Sequence, residues 1–146
     1  MKIEISRGLD GLLLGMTEQQ LTHALGPPDK VIVTEFENRD LCYYRLQTVF
    51  KIEPANDNRL GWVSVYDRTT TLSDLYPWEV PKEHLLATLG ATLGEPFEVS
   101  DYGEMESYYF PKHVLELQYR LGRLDAINFG VPYGFDDQPL WPSLPH

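Results

Sequence analysis

Four histidines and one cysteine are the side chains best suited to nucleophilic or metal chemistry: His23, His84, His113, His146 and Cys42. No two of the histidines have the H-x-x-x-H spacing that sets a metal pair on one helix face, so no metal site is expected. Cys42 stands beside Tyr43 in an apolar segment and reads as a small buried residue; as a nucleophile it would need a basic partner supplied by the fold. His113, at the start of a strand, is within reach of an acid such as Glu116, and otherwise reads as a structural or solvated histidine. Asp136 and Asp137 beside Gly134 lack the spaced oxygen ligands of a calcium loop. The glycines at 8–11 and 130–134 lack the phosphate-loop pattern. Among 22 acids some pair of carboxylates is always present, so such a pair alone does not indicate a glycosidase. The sequence thus predicts no catalytic residue, no metal and no cofactor. A small enzyme using Cys42 or His113 ranks third among its readings.

Charge says more. The 22 acids face 12 lysines and arginines, for a net charge of −10. Residues 1–73 carry 10 acids and 8 bases, a net −2, whereas residues 74–146 carry 12 acids and 4 bases, a net −8. Glu95, Glu98, Asp101, Glu104 and Glu106 follow one another with no base between them. A field of this sign repels phosphate backbones and anionic membranes and attracts basic partners. The expected partner is therefore another protein with a basic site, not nucleic acid and not a membrane. Eighteen aromatics, nine of them tyrosine and three tryptophan, supply rigid contact area with a polar tip, the composition of interface anchors. The best binding cluster on these grounds is Glu98, Asp101, Tyr102, Glu104 and Glu106, with Tyr76, Trp78 and Glu79 as a second. The early apolar run, Leu12-Leu13-Leu14, falls short of the roughly 7–15 residues of a secretory signal and the ~20 of a membrane span. A lone Cys42 cannot make an internal disulfide. Both point to the cytoplasm.

The elements that must position these residues come in two sets. Leu25-Gly26-Pro27-Pro28-Asp29-Lys30-Val31 and Leu93-Gly94-Glu95-Pro96-Phe97-Glu98-Val99 share the pattern L-G-x-P-x-[KE]-V at an offset of 68 residues. A tyrosine pair follows each (Tyr43-Tyr44 and Tyr108-Tyr109), then an alternating strand, then Arg-Leu and a further strand. Such matched order predicts an internal duplication. Before the first copy, Thr17 and Gln20 have the spacing of a capping box, with Met16 and Leu21 as its hydrophobic staple. Leu21, Ala24 and Leu25 give a short amphipathic helix that Gly26 and the two prolines end. In the second copy Pro81 opens a helix whose apolar stripe is Leu85, Leu86 and Leu89 with Leu93 beyond; Gly90 is a point where it would end or bend. After each exit the period turns toward 2: strands are expected at 30–35, 41–46, 48–53 and 60–66, and at 97–100, 106–110, 113–119 and 124–130. Of each tyrosine pair, one ring must face the core and the other outward. The fold class is α+β: a tandem repeat of a short helical segment packed on an antiparallel sheet of about four strands per repeat. Its units are 1–66 and 81–131, with 67–80 a loop-like connector and 132–146 a tail lying on the body through Phe135, Leu140 and Trp141.

The run Leu14-Gly15-Met16-Thr17 through Gln20-Leu21 to Leu25-Gly26-Pro27-Pro28 resembles the repeating core of the small lipoproteins of the outer-membrane barrel-assembly machinery and of the beta-lactamase-inhibitor protein, itself a tandem of helix on sheet. The resemblance implies a scaffold that binds other proteins. The ending, Ile127-Asn128-Phe129-Gly130 through Asp136-Asp137-Gln138-Pro139-Leu140-Trp141-Pro142, is similar in style to small bacterial immunity proteins, which neutralise a toxin. The expected function is stoichiometric binding: an immunity or inhibitor protein that blocks a toxin or enzyme. A non-catalytic assembly adaptor is the alternative.

Overall fold

The structure, a computed structural model, describes residues 1–143, so His146 lies outside the described residues. Three short strands, β1 (Lys2–Glu4), β2 (Gly8–Leu9) and β3 (Leu12–Leu13), fold back on one another. Helix α1 (Glu18–Leu25) leads into β4 (Lys30–Val33), β5 (Arg39–Tyr43), β6 (Thr48–Glu53) and β7 (Arg59–Val65). After a two-residue strand, β8 (Thr71–Leu72), helix α2 (Lys82–Leu93) leads into β9 (Glu98–Asp101), β10 (Met105–Phe110), β11 (Leu115–Arg120) and β12 (Arg123–Gly130). The longer strands form one antiparallel sheet in the order β4-β5-β6-β7-β12-β11-β10-β9. The short ones form a second sheet, β3-β2-β1-β8, in which β1 and β8 run parallel. The chain is mixed α and β, mostly strand, as its patterning predicts.

Within the connector 67–80 the second sheet takes Thr71–Leu72 as a strand, and the rest of the segment is turns and irregular backbone. Thr71 N–H donates to the Met1 carbonyl at 2.8 Å, Leu72 is fully buried, and the buried Thr70 hydroxyl donates to Asp67 Oδ2 at 2.8 Å. A threonine run suits turns and strands alike, and burial against the N-terminal strands decides for the strand.

Local chemistry explains both helices. Thr17 Oγ1 accepts from Gln20 N–H and Gln20 Oε1 accepts from Thr17 N–H, completing the capping box at 3.2 and 2.9 Å. Gly94 ends α2 in the left-handed region (φ 63°, ψ 33°), but Gly26 ends α1 at φ 82°, ψ −177°, a conformation open essentially only to glycine. Gly90 neither ends nor breaks α2, which runs on to Leu93.

One core cluster gathers Leu21 of α1, Leu85, Leu86 and Leu89 of α2, Ile3, Leu9 and Leu72 of the small sheet, and alternate residues of the long strands such as Phe50, Val63, Phe110, Leu117 and Phe129. The tyrosine pairs divide as the pleat requires: Tyr43 and Tyr108 are buried, Tyr44 is exposed and Tyr109 half-buried. In the tail Trp141 packs over Gly15, while Phe135 is fully exposed and Leu140 mostly so. The tail thus rests on the body through Trp141 and not through Phe135.

Two contacts tie the frame together. Where β7 meets β12, Gly130 pairs with Trp62, and a Cβ at 130 would lie 2.7 Å from the indole and 2.8 Å from the Gly61 carbonyl oxygen. Glu95, buried at the exit of α2, accepts the Lys112 N–H at 2.6 Å and lies 2.7 Å from His113 Nδ1. Burial alone would raise the pKa of this carboxyl, but the His113 and Lys112 contacts outweigh it and hold the pKa below its ordinary 4.5.

Gly130→Ala should therefore lower stability by about 1–3 kcal/mol through overpacking, read as a lower urea midpoint at unchanged slope. A depressed carboxyl pKa contributes stability above the unfolded value, about 4.5, that is lost as pH falls through the folded one. The wild-type advantage over Glu95→Gln should be full at about pH 7 and shrink below about pH 4.5; equal advantages at both ends would disprove the assignment.

Candidate functional site

The acidic cluster falls on a free sheet edge. Strand β9 pairs with β10 on one side only, and all four of its residues are exposed. Asp101 Oδ1 accepts the Gly103 N–H at 2.8 Å and Tyr102 N–H donates to the Met105 carbonyl, fixing the turn that carries Tyr102, 67% exposed, and Glu104. Glu98, Asp101, Tyr102 and Glu104 are thus all exposed on β9 and the turn after it, with Glu98 and Asp101, three residues apart on the strand, on opposite faces of the sheet. Glu106 does not join them. It is half-buried on β10, its Oε2 accepting the Tyr108 hydroxyl at 3.1 Å and its Oε1 lying 3.8 Å from Lys82 Nζ.

The second cluster is a turn in which the Glu79 and Val80 N–H groups donate to the Tyr76 carbonyl. Tyr76 and Glu79 are exposed, while Trp78 is half-buried and packs on the core. Lys82 links the two clusters. It lines a cleft with Trp78, donates to the Tyr108 hydroxyl at 3.2 Å, and lies 5.2 and 5.7 Å from the ring centres of Tyr108 and Tyr119. Burial, with Tyr108 and Glu83, pushes the Tyr119 phenol up to about 12.

The opposite edge was not picked out from sequence. Val31, Ile32 and Val33 of β4 are all exposed, and just beyond them Phe36 is 85% exposed with φ 61°, followed by Glu37 at φ 60°. An aromatic residue in the left-handed region is strained, and such strain collects at functional segments. The signal was present: Lys30-Val31-Ile32-Val33 lacks the polar alternation of a half-covered strand.

Cys42 is buried on β5, and its thiol pKa is raised by burial and by Asp40, which keeps it protonated at neutral pH. The nearby Asp40 Oδ1 is buried 3.4 Å from Lys51 Nζ without hydrogen-bond geometry. His113 partners Glu95, not Glu116. Glu116 instead accepts from Ser107 Oγ at 2.6 Å and from the amides of Gln118 and Asn128 at 3.1 and 2.8 Å, a network on the sheet face turned from the core. His23 and His84 are exposed on their helices. Among the described residues no group of three or more His, Cys, Asp or Glu is placed to hold a metal ion, and no helix is long and apolar enough to cross a membrane.

Neither a protein-family model nor a curated protein matches the chain. Among solved structures it is similar to an extracellular protein containing a SCP domain from Bacillus anthracis str. Ames, with a TM-score of 0.54 and 11% identity over 88% of this chain and 47% of that one. This chain thus spans about half the length of that protein, and at such identity the likeness is one of fold.

Proposed function

We propose that the chain is a cytoplasmic, stoichiometric protein-binding protein of the immunity or inhibitor kind, made of two copies of one helix-then-four-strands unit. The palindromic strand order supports two copies, as do T-shaped aromatic pairs at matching places. Tyr43 of β5 meets Phe50 of β6 and Tyr108 of β10 meets Tyr119 of β11, both at 5.7 Å. The partner is a toxin or enzyme whose basic site meets the acidic, aromatic β9 edge.

The observation that carries this reading is that half of the large exposed apolar side chains among the described residues, seven of fourteen, lie on or beside the two free edges. Val31, Ile32, Val33 and Phe36 lie along one free edge, and Phe97, Val99 and Tyr102 along the other. A free edge offers unpaired N–H and C=O groups to an incoming strand, with side chains beside them to select it. At the β9 edge Glu98, Asp101 and Glu104 would speed association with a basic partner, and the aromatic would hold it. Two free edges also favour the adaptor reading, in which each edge takes a different protein.

The test starts with a partner captured from the native cell and then purified. A 1:1 complex should lose roughly tenfold or more in affinity with Tyr102→Ala. Its association rate should fall steeply as salt shortens the Debye length from about 10 Å toward 3 Å. Two different proteins bound at once, one displaced by Ile32→Lys and the other by Tyr102→Ala, would replace the inhibitor with the adaptor. A complex indifferent to salt and to both substitutions would end both readings.

A further inference from the structure

In a chain of net charge −10, three arginines gather at one hollow. The segment after β7, the first turn of α2 and the β11–β12 hairpin enclose a cleft of about 360 Å³ lined by Arg68, Trp78, Pro81, Lys82, Tyr119 and Arg123. An adjoining hollow of about 410 Å³ shares Arg68 and Arg123 and adds Arg120, with Asp125 at its side. Among the described residues none of these arginines forms an ion pair with a carboxylate, although acids outnumber bases 22 to 12. Lys82, by contrast, has two partners, the Tyr108 hydroxyl and Glu106.

Two further features of the same walls lack a partner. Helix α2 begins at Pro81, whose side chain offers no cap to the first-turn N–H groups, which carry the positive end of the helix dipole. Tyr119, 4% exposed, has a buried hydroxyl with no hydrogen-bond partner among the described residues. An unpaired buried hydroxyl is costly and calls for a bonding group that occupies the site. The global charge does not forbid an anion here, because beyond a Debye length of about 8 Å other charges are largely screened. The volume falls in the range of roughly 300–1,000 Å³ typical of small-molecule sites.

We propose that this cleft binds a small phosphate monoester, its phosphate held by Arg68, Arg123, the α2 N-terminus and the Tyr119 hydroxyl, and its flat apolar body laid against Trp78. Donors converge from three separate elements, which suits the three oxygens of a tetrahedral dianion better than the two coplanar oxygens of a carboxylate. The site is independent of the sheet edges and of whatever protein binds them.

The test is calorimetric titration of the full chain with phenyl phosphate, inorganic phosphate and benzoate. Phenyl phosphate should bind saturably, several-fold tighter than inorganic phosphate because of its ring, and benzoate should bind most weakly. Arg68→Ala and Arg123→Ala should each weaken phenyl phosphate by about tenfold or more. Tyr119→Phe should weaken it about fivefold without lowering the thermal midpoint of the free protein, since the hydroxyl has no partner there to lose. No saturable binding at about 10 mM ligand, a range at or above the weakest useful affinities, would overturn the assignment. So would benzoate binding as tightly as phenyl phosphate, or arginine variants that bind like the wild type.

Discussion

The pairing of β7 with β12 is the contact on which the rest of the structure depends. Each set of four strands has one apolar face and one helix to cover it, a small core for a set of strands alone. At the junction Val63 pairs with Phe129 and Val65 with Ile127, and all four side chains are fully buried. At about 1.5–3 kcal/mol for each such side chain, their burial amounts to about 6–12 kcal/mol. This is a gross gain, offset in large part by the conformational entropy lost on ordering the chain. The two halves therefore share one core and one fate. On the far face the junction admits Trp62 only because residue 130 has no side chain.

The same pairing dictates where the free edges of the sheet lie. Because the last strand of each set is spent at the centre, the first strand of each, β4 and β9, is left at a margin with its backbone groups unpaired. Free edges are an aggregation hazard that proteins blunt with charge, bulges or short strands. The β9 margin carries Glu98 and Asp101, whereas β4 has Lys30 and then three uninterrupted β-branched aliphatics. An edge left so apolar, leading to a strained, exposed phenylalanine, is the one that the proposed binding role would cover.

What was legible in the sequence is what local chemistry determines. The Thr17–Gln20 capping box, the strand at Thr48–Glu53 and the buried stripe of α2 stand in the structure as the residues dictate, because each depends on neighbours within a turn or on a period of two. Strands of two or three residues hold no readable period, and so β1, β2, β3 and β8 went unseen. Glu95 looked like one member of an acidic run, but the turn before β11 brings His113 and the Lys112 N–H to it and takes it out of the surface. Glu106 left the acidic surface for the same kind of reason, through Tyr108 and Lys82. An acid's charge is public until the fold assigns it a partner, and a count of acids cannot make that assignment.

Net charge misleads in the other direction as well. The half with net −8 holds only four bases, and three of them, Lys82, Arg120 and Arg123, line the cleft and its neighbour, joined by Arg68 from the other half. Composition averages over a molecule many Debye lengths around, while a ligand responds to charges within about one of them. One small acidic protein can thus carry a negative edge and a positive hollow at once. Lys82 stands where the two meet, with Glu106 and Tyr108 on one side and Trp78 on the other. It reaches Glu106 from the cleft side, so the half-buried acid between the two surfaces is paired within the fold.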